Sequence, residues 1–437
     1  LSLITALALP LAACSGEASA ATDAAPIVKP AAALDETAVT SVAALPGVES
    51  EQTVESTDLR TVMAYDSTNS YEAFAAEDLA TSESSPGMTS ITLAGDSASL
   101  EGSGATINGS SVSITSAGTY SISGVLNDGQ IIVDTADEET VFLVLNGVNI
   151  SFASGAPIYV ANAEKTVITL AEGTENIVSD GASYIFPDTE IDEPNAAVFS
   201  KDDLTINGSG SLTVNASYNN GITSKDDLLI AGGNITVNAL NDGIKGRDSL
   251  ILLDGFISVN AGGDGLQANN DEDAAKGIVS IEDGTFVVTA GLDGIQAETM
   301  FAVSGGNITV SSGGGSSAAP EGIMGVVESA KGLKAGVDVN ISGGNIQVDS
   351  ADDAVHSNGS ITIGGGELVL ASGDDGVHAD TSLQIYGGDL TIAQSYEGLE
   401  SAVIVINDGT INLVASDDGI NVTGGSDGSG LQEPGID

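Results

Sequence analysis

The sequence predicts an all-β protein, a parallel β-helix, and three observations carry that expectation. A short phrase of one polar residue, a glycine and an aliphatic residue recurs between positions 197 and 422. A second phrase, two short aliphatic strands around a glycine pair, runs in the same rhythm. Nothing in the region has the 3.6-residue period of a helix.

The first phrase stands at Asn220-Gly221-Ile222, Asp242-Gly243-Ile244, Asp264-Gly265-Leu266, Asp293-Gly294-Ile295, Lys331-Gly332-Leu333, Asp353-Ala354-Val355, Asp375-Gly376-Val377, Glu397-Gly398-Leu399 and Asp418-Gly419-Ile420. From glycine to glycine, with Ala354 in one place, the spacings are 22, 22, 29, 38, 22, 22, 22 and 21 residues. A repeat of this length is one coil of a solenoid. The second phrase reads, for example, Leu228-Leu229-Ile230-Ala231-Gly232-Gly233-Asn234-Ile235-Thr236-Val237, and it returns around Gly343-Gly344 and Gly387-Gly388. Alternating aliphatic and polar residues between glycine turns are short strands with one buried face. Three such strands and three turns fill a coil of about 22 residues, and the coils stack with parallel strands about 4.8 Å apart.

Stacking turns each repeat position into a column. The residue after each phrase glycine, from Ile222 to Ile420, is aliphatic every time and is expected to form a continuous internal row. The glycine itself suits either a positive φ or a close approach of backbone. An aliphatic stack of this kind also accommodates the composition, which is 4% aromatic with no tryptophan in 437 residues.

Ten Lys and Arg stand against 62 Asp and Glu, a formal charge of −52. That balance excludes nucleic acid and anionic membrane surfaces as partners and favours cations. Residues 1–14 read as a truncated export signal. The apolar run Leu3 to Leu11 is too short to span a bilayer and ends in Leu11-Ala12-Ala13-Cys14-Ser15-Gly16. This resembles the lipobox of bacterial lipoproteins with Cys14 lipidated; the alternative is a secretory signal with an incidental cysteine. Either reading places the protein outside the cytoplasm, the first at a cell surface or outer membrane through its lipid alone. Residues 15–88, rich in Ala, Ser, Thr, Glu and Asp, read as a flexible acidic stalk. Residues 89–200 are expected to form an irregular β-rich cap and first coils, 201–423 the regular coils, and 424–437 a disordered tail.

The same stacking aligns charges. Asp242, Asp264 and Asp293 fall at one turn of successive coils, as do Asp353, Asp375, Glu397 and Asp418. Like charges this close repel by about 1 kcal/mol in water and by several near a low-dielectric surface. Bound Ca²⁺ removes that cost, and oxygen-rich turns suit it. Asn269, Asp271 and Asp273, in a seven-residue insertion, add oxygen donors, so Asp242, Asp264, Asn269, Asp271, Asp273, Asp293, Asp353 and Asp375 are the candidate calcium ligands. The other reading needs no ion, because Asp before Gly also caps its own turn. A longer insertion, around Gly313 to Met324, suggests nothing specific.

Cations are scarce, so their clustering is informative. Lys225 and Arg247 share a register on adjacent coils, Lys201 precedes them, and Lys245, Lys331 and Lys334 lie nearby. These six are the candidate contacts for the carboxylates of an acidic polysaccharide; alternatively each pairs with a neighbouring Asp. His356 and His378 sit one coil apart, as ligands or as exposed residues of a polar face.

Ala171-Glu172-Gly173-Thr174-Glu175-Asn176, the twin Ser-Lys-Asp-Asp-Leu segments at 200 and 224, Asn241-Asp242-Gly243-Ile244-Lys245-Gly246-Arg247-Asp248, Gly263-Asp264-Gly265-Leu266-Gln267-Ala268 and Lys331-Gly332-Leu333-Lys334-Ala335 together resemble the bacterial carbohydrate-binding domain-containing family. The resemblance spans about Gly118 to Val422. It implies a right-handed β-helix similar in shape to pectate lyases, with bound Ca²⁺ and affinity for acidic and cellulose-like plant polysaccharides, polygalacturonate in particular. It assigns no ligand position by position. A lyase needs Ca²⁺ and a Lys or Arg base, and a hydrolase needs paired acids across a cleft. Repetition of every acidic element argues instead for non-catalytic binding, with the lyase and a calcium-stiffened adhesin as the alternatives. The lack of tryptophan disfavours stacking on crystalline cellulose and leaves Tyr184, Tyr218, Tyr386 and Tyr396.

Overall fold

The computed structural model describes residues 75–81, 87–186, 190–318 and 329–422, all within the unit Ser70–Asp437. Cys14, most of the expected stalk, part of the Gly313 to Met324 insertion and the expected tail lie outside the described residues. The described residues contain strands and turns and no helix.

The strands form long parallel stacks. One coil contributes Ile244–Gly246, Ser249–Leu252 and Phe256–Ala261, and the next contributes Leu266–Ala268, Ile278–Ile281 and Thr285–Ala290. Each strand pairs with its counterpart one coil on, as in Ile244↔Leu266, Leu250↔Val279 and Val259↔Val288. The chain therefore winds through three stacks per coil, and the irregular spacings fall in loops between strands. Burial alternates along the longest strand of each coil, which leaves Ile257 and Val259 inside and Ser258 outside. The short strand carries the expected row: Ile222, Ile244, Leu266, Ile295, Leu333, Val355, Val377 and Leu399 are buried, while Ile420 on the last described coil is exposed.

The glycines divide into two kinds. The second glycine of the strand-gly-gly-strand phrase turns the chain with positive φ, as at Gly233 (103°) and Gly344 (91°). The phrase glycines Gly221, Gly243, Gly265, Gly294 and Gly332 have no positive φ; a Cβ there would meet a valine methyl at 2.2 to 2.3 Å. Close approach, rather than backbone conformation, requires glycine at these five places.

The N-terminal end is built differently. Thr89–Gly95 pairs antiparallel with Ala98–Glu101, and Ala105–Asn108 with Ser111–Ile114, before parallel stacking takes over at Gly118–Leu126. Residues 75–81, expected as stalk, lie against the solenoid. Asp78 is buried, 3.1 Å from Lys165 Nζ, and accepts a 2.7 Å hydrogen bond from Thr205 Oγ1. A buried carboxylate needs such partners, and they fix this segment in place.

Candidate functional site

The phrase residues form a ladder held by one repeated hydrogen bond. Oδ1 of each acid accepts the backbone N–H of the phrase residue one coil on: Asp242 from Asp264 at 3.2 Å, Asp264 from Asp293 at 3.0 Å, Asp293 from Lys331 at 2.8 Å, Asp353 from Asp375 at 3.0 Å and Asp375 from Glu397 at 3.1 Å. Each acid thereby caps a turn, though the turn of its neighbour rather than its own. Oδ2 is left to face a second ladder three residues further along the phrase. Strand pairing aligns that ladder as Lys245↔Gln267↔Gln296↔Lys334↔His356↔His378↔Glu400↔Asn421.

This second ladder answers the repulsion along the first. Lys245 Nζ lies 3.4 Å from Asp242 Oδ2, and Lys334 Nζ lies 3.2 Å from Asp293 Oδ2. Gln267 donates to Asp264 Oδ2 and, at 2.6 Å, to Gln296 Oε1. A neutral amide compensates less than an ammonium. Burial, then the charges of Asp293 and Asp242, push the Asp264 carboxyl up to about 7.

Lys331 replaces the acid at the centre of the ladder and is itself buried. Its Nζ lies 2.8 Å from Asp352 Oδ2 and 3.6 Å from Asp353 Oδ2. Burial works against its charge, but Asp353 and then Asp352 outweigh burial and hold its pKa above the ordinary lysine range. Lys331 was expected as a glycan contact; its burial makes it an internal counter-ion instead. Lys245 and Lys334 also face ladder acids.

The histidines correct a second expectation. His356 is buried rather than exposed, with Nδ1 2.8 Å from Asp353 Oδ2 and Nε2 2.8 Å from Asn358 Oδ1. His378 stands edge-on to it, ring centroids 5.0 Å apart, with Nδ1 3.6 Å from Asp353 Oδ2 and 3.7 Å from Asp375 Oδ2. Burial alone would raise the Asp353 pKa; Lys331 and the two histidines hold it well below the ordinary range. Burial alone would lower His378, yet its hydrogen bond to Asp353 and that group's charge push it up to about 9. Burial, followed by the charges of Asp353 and Asp374 and the contact with Glu400, pushes Asp375 up to about 10.

The other predicted residues lie elsewhere on the coils. Lys201, Lys225 and Arg247 follow Ser200, Ser224 and Gly246, which are paired in register, so the three cations occupy consecutive coils. Lys225 meets Glu193 and Arg247 meets Glu272, both at 2.6 Å, and Lys201 is exposed with no ion pair among the described residues. In the acidic insertion Asp271 and Asp273 are exposed and Asn269 is half-buried. Asn270, in the same acidic loop but not among the candidate ligands, fixes this loop by accepting the N–H groups of Glu272 and Asp273, each at 3.0 Å. Of the tyrosines, Tyr184 and Tyr218 stack on each other at 4.1 Å.

Among the described residues, three groups bring potential ligand atoms within 4.8 Å of one another: Asp353, His356 and His378; Asp375, His378 and Glu400; and Asp352, Asp353 and Asp374. Sequence reasoning saw the histidines and most of these acids but missed Glu400, whose signal was its place in the His378 register.

Asp203 and Asp227, from the twin Ser-Lys-Asp-Asp-Leu segments, also stack, with Asp227 N–H 3.4 Å from Asp203 Oδ1. Burial and then the Asp227 charge push Asp203 up to about 6. A carboxyl whose folded pKa is raised binds its proton more tightly in the native state. Stability is therefore lost as pH climbs from about 4, the unfolded value, to about 6, by at most about 1.4 kcal/mol per pH unit. Asp203→Asn should remove this loss, so its stability advantage over wild type grows between pH 4 and pH 6 and then levels off. Urea midpoints of both proteins across that range check it; a constant difference would refute the assignment.

A long parallel β-solenoid edged by a double polar ladder is the class of protein these features define. The chain belongs to the carbohydrate-binding domain-containing protein family, whose family model matches residues 108–376. A curated carbohydrate-binding domain-containing protein of Acetivibrio thermocellus is 52% identical over 128 residues, 29% of this chain and 45% of that protein. The chain thus spans less than half the length of that relative. A solved polysaccharide lyase-like protein from C. thermocellum, a gadolinium derivative, is similar with 38% identity and a TM-score of 0.51 over 60% of this chain and 96% of that one.

Proposed function

We propose that this protein is an exported, lipid-anchored, non-catalytic binder of an acidic, polygalacturonate-like plant or algal polysaccharide, built on a right-handed, calcium-stabilised β-helix. The observation that carries the reading is the row Lys201, Lys225 and Arg247 on consecutive coils. Strand stacking spaces these cations about 4.8 Å apart along the solenoid, a line suited to successive carboxylates of an extended polymer. Glu272 beside Arg247 is 75% exposed on its side chain, so a glycan carboxylate can take its place at little cost.

Two polyanions associate only where cations intervene. The oxygen-only group Asp352, Asp353 and Asp374 has the donor chemistry calcium takes. Lys331 already neutralises two of these acids and repels a second cation, so this group is the weaker calcium candidate. The exposed Asp271 and Asp273 are the further protein ligands proposed for calcium shared with the glycan.

Sedimentation of the protein with polygalacturonate, with and without Ca²⁺, tests the reading. Retention that requires Ca²⁺ and is lost in the Lys201→Gln, Lys225→Gln, Arg247→Gln triple variant is the expected result. Retention unchanged in that variant would remove the basic row from the account. The solved neighbour's description as polysaccharide lyase-like supports a second reading, a lyase; new ultraviolet absorbance from unsaturated products in the same incubation would establish it over non-catalytic binding. Calcium-dependent melting with no retention would leave an adhesin.

A further inference from the structure

We propose that Asp375, His378 and Glu400 ligate one divalent transition-metal ion of the zinc class, at a site independent of glycan binding. Their ligand atoms lie within 4.8 Å of one another. Asp375 is fully buried, and its Oδ1 is committed to the Glu397 N–H at 3.1 Å. That bond turns Oδ2 toward His378, where it is a buried oxygen with no hydrogen-bond donor. A buried acceptor left without a donor is rare and calls for a cation or a proton. Glu400, paired in register with His378 and 2% exposed, brings a second carboxylate to the same place.

The donor set selects the metal. An imidazole nitrogen with two carboxylates suits Zn²⁺ and its neighbours, whereas Ca²⁺ takes oxygen alone. Two carboxylates cancel a divalent charge, which makes the loaded site neutral inside a buried edge. Metal–ligand bonds of about 2.1 Å require these atoms, now within 4.8 Å of one another, to draw together around the ion. Outside the site, His378 Nε2 lies 3.4 Å from Asp380 Oδ1, and Nδ1, which stands between Asp353 Oδ2 at 3.6 Å and Asp375 Oδ2 at 3.7 Å, is the nitrogen that the ion takes over from Asp353. A carboxylate on the far nitrogen of a ligating imidazole fixes its tautomer and raises its basicity. Asn421 Nδ2, 3.3 Å from Glu400 Oε1, orients that acid in the same manner.

The neighbouring group Asp353, His356 and His378 is the poorer site. Asp353 Oδ2 already receives His356 at 2.8 Å, and the Lys331 ammonium 3.6 Å away repels a second cation. One coil further on, that ammonium is no longer in contact.

The test uses the full chain, stripped with chelator and titrated with ZnCl₂ in excess Mg²⁺ and Ca²⁺ to occupy the many surface acids. Expected are one Zn²⁺ per chain, its loss in His378→Gln and in Glu400→Gln, and its retention in His356→Gln. Because the chain has two histidines, nitrogen NMR of the wild-type imidazoles gives a readout that needs no variant. Zinc should shift the His378 Nδ1 signal. No bound Zn²⁺ under these conditions, binding that survives His378→Gln, or a titration that leaves the His378 imidazole unmoved would overturn the assignment.

Discussion

Replacing Lys331 with methionine is expected to lower stability by about 3–5 kcal/mol, because it strands buried acids without their counter-ion. Asp353 is 2% exposed, and its Oδ2 relies on Lys331 and on the two histidines. Asp352, 2.8 Å from the same ammonium, loses its close partner as well. The cost arises from removing one side of a buried pair rather than from the pair's net worth. Combining Lys331→Met with Asp352→Asn and Asp353→Asn should therefore recover most of the loss, since the amide oxygen that the last substitution introduces can still accept the Asp375 N–H. Urea unfolding of the two variants checks this. Stacked coils contact only their neighbours, so the transition is best followed near residues 331–399 by hydrogen exchange as well as globally. A single variant as stable as wild type, or a triple variant no better than the single, would refute the account.

The second large effect is expected at a phrase glycine. A methyl at Gly294 would stand 2.2 Å from Val310 Cγ1 and 2.6 Å from the Gly332 carbonyl oxygen. Overpacking of this kind costs about 1–3 kcal/mol. The protein carries its own control, because one phrase has Ala354 in place of glycine. Along the longer strand of each coil, Val310 pairs with Val348 and Val348 with Leu370, so the residue facing Ala354 is a leucine. Leucine branches one carbon later than valine and leaves room beside its Cβ. Val310→Leu should therefore restore much of the stability lost in Gly294→Ala, a coupling that a double-mutant cycle measures directly. Additive effects of the two substitutions would show that the valine methyl is not the obstacle.

Both predictions concern features half visible in the sequence. The Ala354 exception was apparent beside eight glycines, but its reason required knowing that Leu370 lies across the coil from it. Lys331 was conspicuous as the cation in an acidic column. Its charge suggested an exposed contact, whereas the ladder needs it inside. Of the two readings of His356 and His378, ligands or exposed residues, the exposed one fails for a similar reason: polar residues on a repeating strand usually face water, and here both rings lie against the ladder acids.

The sequence by itself determined the parallel stack, the buried aliphatic row and the places of the irregular loops. It can do so because a solenoid coil touches only its neighbours, and a constant period in the chain becomes a constant contact in space. Only the tertiary structure decided how the charges are met. One carboxylate oxygen binds the backbone of the next coil, which turns the other toward a residue three places along the phrase. That direction depends on the path of the backbone through each turn and on what lies one coil away. Residue order places Asp375, His378 and Glu400 in neighbouring repeats, but the fold sets a buried, donorless oxygen beside an imidazole and a second carboxylate.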